Sequence, residues 1–377
     1  MGAIGRSLAL AVLAAGAGLG RPSPCLAEEA APPVPWYETI RLNGFLSTSY
    51  SYNLNRPASH TNALRVFDLA DNSFTIDDVE LVVQKPVSKP RESGFRADLV
   101  FGSSVPRVSA AAGLLRDDAG VAGDIDLQQA FASYVAPFGA GLRLDVGKFV
   151  THFGYEVIDG YDGWNDNATR SLLFGYAIPF THTGVRASCA FGARATATLM
   201  VVNGWDDARD NNTSKSVGGQ ITLAPAASLT FALNGMTGPE RTGNESDHRS
   251  LLDVVGVWKL TPRWSLGANG DWGTEQKGLG PDDDARWSGV AAYLRLSQAG
   301  ALAVSLRGEI FDDTDGVRTG TPQRLSEVTL TPEARVSPSM LVRGDLRLDH
   351  SDRPVFERAH GITDRQPSIL VSALYSF

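Results

Sequence analysis

The sequence predicts an all-β protein, a transmembrane antiparallel β-barrel of about 16 strands. Three observations predict it. Apolar residues recur with a period of two almost everywhere. The connections between the alternating segments are short and long in turn. The last segment is a full alternating strand that ends on an aromatic residue, Phe377.

Residues 40–54 show the first element. One parity is Ile40, Leu42, Gly44, Leu46, Thr48, Tyr50, Tyr52 and Leu54; the other is mostly Ser and Asn. The run exceeds the usual soluble strand and suits a tilted strand that crosses a bilayer and protrudes. Further strands are predicted near 74–85, 94–103, 124–136, 141–150, 181–191, 193–203, 217–224 and 228–237. The remainder lie near 250–260, 263–272, 286–296, 301–311, 324–331, 339–349 and 367–377. Short connections include 137–141, 191–194 and 261–263, whereas 56–73, 104–123, 151–180, 273–285 and 351–367 are long. An even strand number then puts both barrel ends beside the short, periplasmic turns and the long loops outside the cell.

Residues 1–27 read as a removable secretory leader. Arg6 is a brief basic start, residues 7–19 are nearly all Leu, Ala, Val and Gly, and Cys25-Leu26-Ala27 forms a small-x-Ala cleavage signature. That apolar run is shorter than the about 20 residues of a spanning helix. Residues 28–35 form a Pro/Ala-rich lead-in expected to be mobile, and 36–377 form the barrel domain. Without residues 1–27 the chain keeps 42 acidic side chains and loses Arg6 and Arg21, so the net charge moves from -8 to -10. Such an acidic chain is a poor partner for nucleic acid, where affinity comes largely from neutralising phosphates. Cys189 is then the remaining cysteine, at an apolar-parity position that suits a small packed hydrophobe.

The two faces differ in chemistry. Trp264, Leu266, Ala268, Gly270 and Trp272 alternate with Ser265, Gly267, Asn269 and Asp271. Sixteen strands enclose a space too wide for strand side chains to fill. The polar parity is therefore expected to face a wet lumen and the apolar parity lipid. Trp258 and Trp264 flank a tight turn while Trp272 precedes a long connection, as two interfacial girdles require. Outer-membrane lipid and lipopolysaccharide are the expected surroundings. Tyr375 and Phe377 share the parity of Ile369, Val371 and Ala373, a pattern read as the signal that barrel-assembly machinery recognises in a last strand.

Residues 126–186 carry a resemblance. Asp126-Leu127-Gln128-Gln129-Ala130-Phe131, Gly147-Lys148-Phe149-Val150-Thr151, Phe153-Gly154-Tyr155-Glu156 and the stretch from Ser171 to Val185 resemble the OmpL-like family of outer-membrane β-barrel porins. The strand ladder extends the likeness over nearly the whole barrel domain. The resemblance implies a passive, water-filled channel for small hydrophilic solutes, in a fold that often forms homotrimers. A non-conducting barrel that acts as a surface receptor, adhesin or structural protein is the alternative.

A channel needs charges on its wall and a constriction. The pore-lining candidates are Arg96, Arg143, Asp145, Arg186, Arg307, Glu309, Arg343, Asp345 and Arg347, with opposite charges at i and i+2 able to pair. The constriction candidate is the longest loop, 151–180, which carries Glu156, Asp159, Asp162, Asp166 and Arg170 among aromatic residues. Its carboxylates facing Arg143, Arg186 or Arg307 would set up a transverse field. The six histidines form no H-x-x-x-H pair, and no G-x-S-x-G or Walker loop occurs. No catalysis, cofactor or metal is expected.

Overall fold

Sixteen antiparallel strands close into one barrel, each bonded to its neighbours along the chain and the last to the first. The computed structural model describes residues 35–112, 114–115, 121–298 and 301–377. The expected leader and all but the last residue of the lead-in lie outside the described residues. In chain order the strands are β1 (Arg41–Asn53), β2 (Ser73–Lys85), β3 (Ser93–Phe101), β4 (Ile125–Ala136), β5 (Leu142–Val150), β6 (Thr181–Ala190), β7 (Ala195–Val202), β8 (Ser216–Ala226) and β9 (Leu229–Pro239). They continue as β10 (His248–Lys259), β11 (Trp264–Gly280), β12 (Asp283–Ser297), β13 (Leu302–Asp313), β14 (Gln323–Arg335) and β15 (Met340–Ser351). The two-stranded ribbon β16 (Phe356–Arg358) and β17 (Gly361–Thr363) lies in the last long loop, and β18 (Arg365–Ser376) closes the barrel. An α-helix, α1 (Val105–Ala112), lies in the second long loop, L2, which joins β3 to β4.

Side-chain alternation builds the wall. On β13, Leu302, Val304, Leu306 and Ile310 are exposed on the outside, while Ala303, Ser305, Arg307, Glu309 and Phe311 are buried inside. Trp258, Trp264, Phe231, Phe138 and Phe377 point outward at the short-turn end. Phe74, Phe101 and Trp272 do so at the other end, where Phe74 packs on Tyr50 with ring centroids 4.7 Å apart. Two outward aromatic belts thus bracket an aliphatic band, as lipid headgroups and tails demand.

Two expectations need correction. Residues 273–285 are not a long loop: β11 and β12 run on to Gly280 and from Asp283, so this connection is a protruding hairpin. Thr274, Glu275, Ala285 and Arg286 are still in register with one another there, because alternation and pairing continue past the membrane. The second correction is larger. The inward face is not uniformly polar, and part of its outer half is packed with apolar side chains. Phe131, Phe149, Met200, Val202, Met236, Leu251, Trp287, Tyr293, Phe311 and Leu325 point inward and are buried with loop residues in one apolar cluster. The third long loop, L3 (151–180), folds inside and brings Phe153, Leu172, Leu173, Phe174, Ile178 and Phe180 to that cluster. Inserted apolar side chains need apolar seats, so the wall opposite them is apolar.

The seam between β1 and β18 is closed by the last residue. The Phe377 N–H donates to the Gly44 carbonyl at 3.1 Å, and the Gly44 N–H donates to the Phe377 carbonyl at 3.0 Å. The ring lies flat over the glycine: a Cβ at residue 44 would stand 2.4 Å from Phe377 Cζ. Glycine at that position therefore seats the terminal aromatic residue. Gly44→Val should displace the ring, and deletion of Phe377 should remove both hydrogen bonds. Each should lower the temperature at which the refolded barrel loses its heat-modifiable gel mobility, with the deletion costing more.

Candidate functional site

The lumen is organised by L3, which leaves β5, crosses the interior and returns to β6. Its route is fixed by wall groups that bond its backbone. On the way in, the Gly154 N–H donates to Asp253 of β10 at 3.1 Å and the Tyr155 N–H to Asn269 of β11 at 2.9 Å. Tyr155 stacks on Tyr293 of β12 with centroids 4.0 Å apart. The loop tip makes a tight reversal in which Gly160 and Gly163 exchange hydrogen bonds. There the Tyr161 N–H donates to Glu80 of β2 at 2.6 Å, and Trp164 stacks over Phe45 of β1. On the way back, Asp345 accepts from the Ala168 and Thr169 N–H groups, and Glu309 accepts from Leu172 at 2.5 Å and Leu173 at 3.0 Å. Leu173 occupies the space beside Gly289 of β12, where a Cβ would stand 2.7 Å from Leu173 Cδ1. Trp287 Nε1 donates to the Ala177 carbonyl at 3.1 Å.

Arg307 of β13 is the densest anchor. Its guanidinium is fully buried, with Nε on Glu327 at 2.6 Å and Nη1 on both Glu156 and the Thr169 carbonyl at 2.7 Å. It thereby ties the entering and leaving limbs of L3 to one wall. A planar five-donor fork is the side chain able to do this. Arg343 Nη2 binds Asp159 at 2.8 Å and its Nη1 binds the Asn165 carbonyl, while Arg347 reaches the Arg170 carbonyl.

The expected charges therefore divide into three groups. Glu156, Asp159, Asp162 and Asp166 meet Arg307, Arg343, Arg96 and Arg295 respectively, and Arg170 shares Asp159 at 3.0 Å. Glu309 and Asp345 hold L3 backbone as above. Arg143 and Arg186 do not face the loop: both bind Asp145, at 2.8 and 2.9 Å, nearer the periplasmic mouth. The transverse field expected between them and L3 is absent, since the L3 carboxylates already have their own arginines. The i, i+2 pairing holds for Arg96–Asp98, Arg143–Asp145 and Arg347–Asp349, at 2.7–2.8 Å.

Sequence parity missed three inward carboxylates on β2. The β1–β2 register shifts between Ser47 and Thr48, which leaves Asp77 bulged. Outward residues run Phe74, Ile76 and then Val79, Leu81, and this break in the alternation is the readable sign. A bulge places two successive residues on one face, so Asp77 and Asp78 both point inward, followed by Glu80. The carbonyls of Ile76 and Asp77 are taken up by the Ser103 and Ser104 N–H groups of L2.

L1 (54–72) also enters. Arg65 binds Asp68 and Asp349, each at 2.5 Å, and Phe67 packs on Phe174 and Phe180. Among these loops and the β1–β2 wall lies a cavity of about 30 Å³, room for roughly two water molecules. It is bordered by Ser47, Ser49, Asp77, Asp78, Asp159, Arg170 and Arg343.

The exit of L3 is clamped at the long-loop end of the barrel. Asp206 in L4 (203–215) accepts from the Phe180 and Thr181 N–H groups at 2.6 and 2.9 Å, and Glu240, just past β9, accepts from the Trp205 N–H at 2.6 Å. Arg318 lies over both Trp205 and Trp287, 5.1 Å from each centroid. Burial pushes Asp206 up to about 6 and Glu240 up to about 7.

With this geometry in hand, the chain can be set beside known proteins. The model of the family described as "Putative beta-barrel porin-2, OmpL-like" matches residues 39–377. The chain belongs to this family. No curated protein sequence matches it. Solved structures share the porin fold at low identity. The anion-selective porin from Comamonas acidovorans is 12% identical, with a TM-score of 0.61 over 90% of this chain and 99% of that one. The outer membrane channel DcaP of Acinetobacter baumannii is 11% identical, with a TM-score of 0.61 over 90% and 97%. OprB of Pseudomonas putida is 11% identical, with a TM-score of 0.59 over 90% and 95%. The barrel is thus a porin of the outer-membrane type.

Two outcomes follow for this porin. Arg307→Met would leave Glu156 and Glu327 buried without their cation. That should cost about 3–5 kcal/mol in reversible denaturant unfolding, and Arg307→Lys should recover only part of it. The second outcome concerns pH. The native state holds protons on Asp206 and Glu240 more tightly than an unfolded chain, whose carboxyls titrate near 4. Their contribution is therefore full below about pH 4 and is lost as pH rises through 6 to 7. Hydrogen exchange across 203–216 should accelerate over that window in the wild type. Glu240→Gln, which keeps an acceptor for Trp205, should flatten the response.

Proposed function

We propose that the protein is a narrow passive channel for small hydrophilic solutes, held narrow by L3. The observation that carries this reading is a gap left by the loop's seating. L3 is bonded to the β10–β15 wall along both limbs and to β1 and β2 at its tip. Between these anchor points a gap walled by Ser47, Ser49, Asp77 and Asp78 remains. Solutes pass through that gap from the long-loop side to the periplasmic mouth, where Arg143 and Arg186 stand. No group in the path does chemistry, and the rate is set by size and charge.

Export under residues 1–27, assembly recognition through Tyr375 and Phe377, and contact with lipopolysaccharide through the long loops complete the proposal. The family match and the outward aromatic belts support it. The test is conductance of the refolded barrel in planar bilayers. Wild type should give small, discrete conductance steps. Replacing 156–172 by a short Gly/Ser linker should raise the step size several-fold, because the wall alone encloses a far wider space. A barrel that inserts without conducting would contradict the channel reading.

A further inference from the structure

The cavity beside β1 and β2 is unevenly charged. Its border holds the carboxylates of Asp68, Asp77, Asp78 and Asp159 against the guanidinium groups of Arg170 and Arg343. Ion pairs consume most of these: Asp68 is held by Arg65, and Asp159 by both arginines. Asp77 and Asp78 have no ion pair among the described residues. Asp77 is met by hydroxyls only, from Ser47 at 3.3 Å, Ser49 at 2.9 Å and Thr75 at 2.7 Å. Asp78 is met by the Ser104 hydroxyl and lies within reach of the Arg170 charge, without a direct ion pair.

We infer that Asp77 and Asp78 make this channel select cations over anions. The inference rests on the channel reading and names its substrate class: small hydrophilic cations. The bulge is the device. It turns two successive side chains inward onto the wall of this gap, where surplus negative charge acts on a passing ion at close range. Arg170 and Arg343 share Asp159, so one guanidinium charge is left to set against the two carboxylates. A surplus of guanidinium does exist where Arg143 and Arg186 share Asp145, but Arg143 is well exposed there. In that wetter mouth salt screens charge over about 8 Å, so the inner pair dominates.

The test is the reversal potential of the refolded wild type across a KCl gradient, beside the double variant Asp77→Asn/Asp78→Asn. Wild type should favour K⁺ over Cl⁻ several-fold, and the double variant should fall to less than about twofold. Arg143→Gln should leave the wild-type ratio nearly unchanged. An anion-selective or unselective wild type would overturn the inference, as would a folded double variant with unaltered selectivity. If the double variant does not fold, Asp77→Ser and Asp78→Asn are read singly, and the wild-type sign still decides. Conductance with the wrong sign sinks the inference alone; absence of conductance sinks the channel reading and the inference with it.

Discussion

The structure depends on closing the backbone. In a bilayer an open sheet edge would leave N–H and C=O groups with no partner, so the first strand has to meet the last. Nine register pairs from Phe45 to Asn53 make that seam, and the Gly44–Phe377 exchange completes it. Closure with sixteen strands fixes a diameter that strand side chains cannot fill. Everything inside then follows from how the loops fill that space.

L3 fills it by satisfying its own backbone on the wall. A loop buried inside a barrel carries polar N–H and C=O groups that must be bonded. Asp253, Asn269, Glu309 and Asp345 supply acceptors, while Arg307, Arg343 and Arg347 supply donors to carbonyls. The wall charges thus act first as a docking surface for a loop. Buried ion pairs of this kind set geometry more than they add net stability. The field left for solutes is what docking does not consume, and Asp77 and Asp78 of β2 belong to that remainder.

Much of this was legible in the sequence. Period-two alternation locates all sixteen barrel strands, with the end of β11 eight residues beyond its expected one, and the sorted connections give the orientation. The outward parity of Trp264, Leu266 and Trp272 followed from lumen width alone. Loop 151–180 was picked as the constriction by its length and charges. Partners were not legible, because pairing between a loop and a wall depends on where the loop crosses. Hence Arg143 and Arg186, of the right sign and parity, lie away from L3. Inward apolar residues such as Phe149 and Trp287 read as exceptions to polarity until the apolar side of L3 is set against them. Asp77 and Asp78 were hidden by a one-residue slip that exchanges the faces of β2.

The most direct measurement asks whether L3 is seated against the β2 wall. A Cβ at residue 160 would lie 3.2 Å from Glu80 Cδ, so cysteines at the two positions stand within reach of a short bis-thiol cross-linker. In a chain starting at residue 28 with Cys189→Ser, Gly160→Cys with Glu80→Cys should be joined by a short bis-methanethiosulfonate, leaving no thiol for maleimide and a small conductance. Two freely labelled thiols in a folded, conducting barrel would place the loop elsewhere and contradict the account.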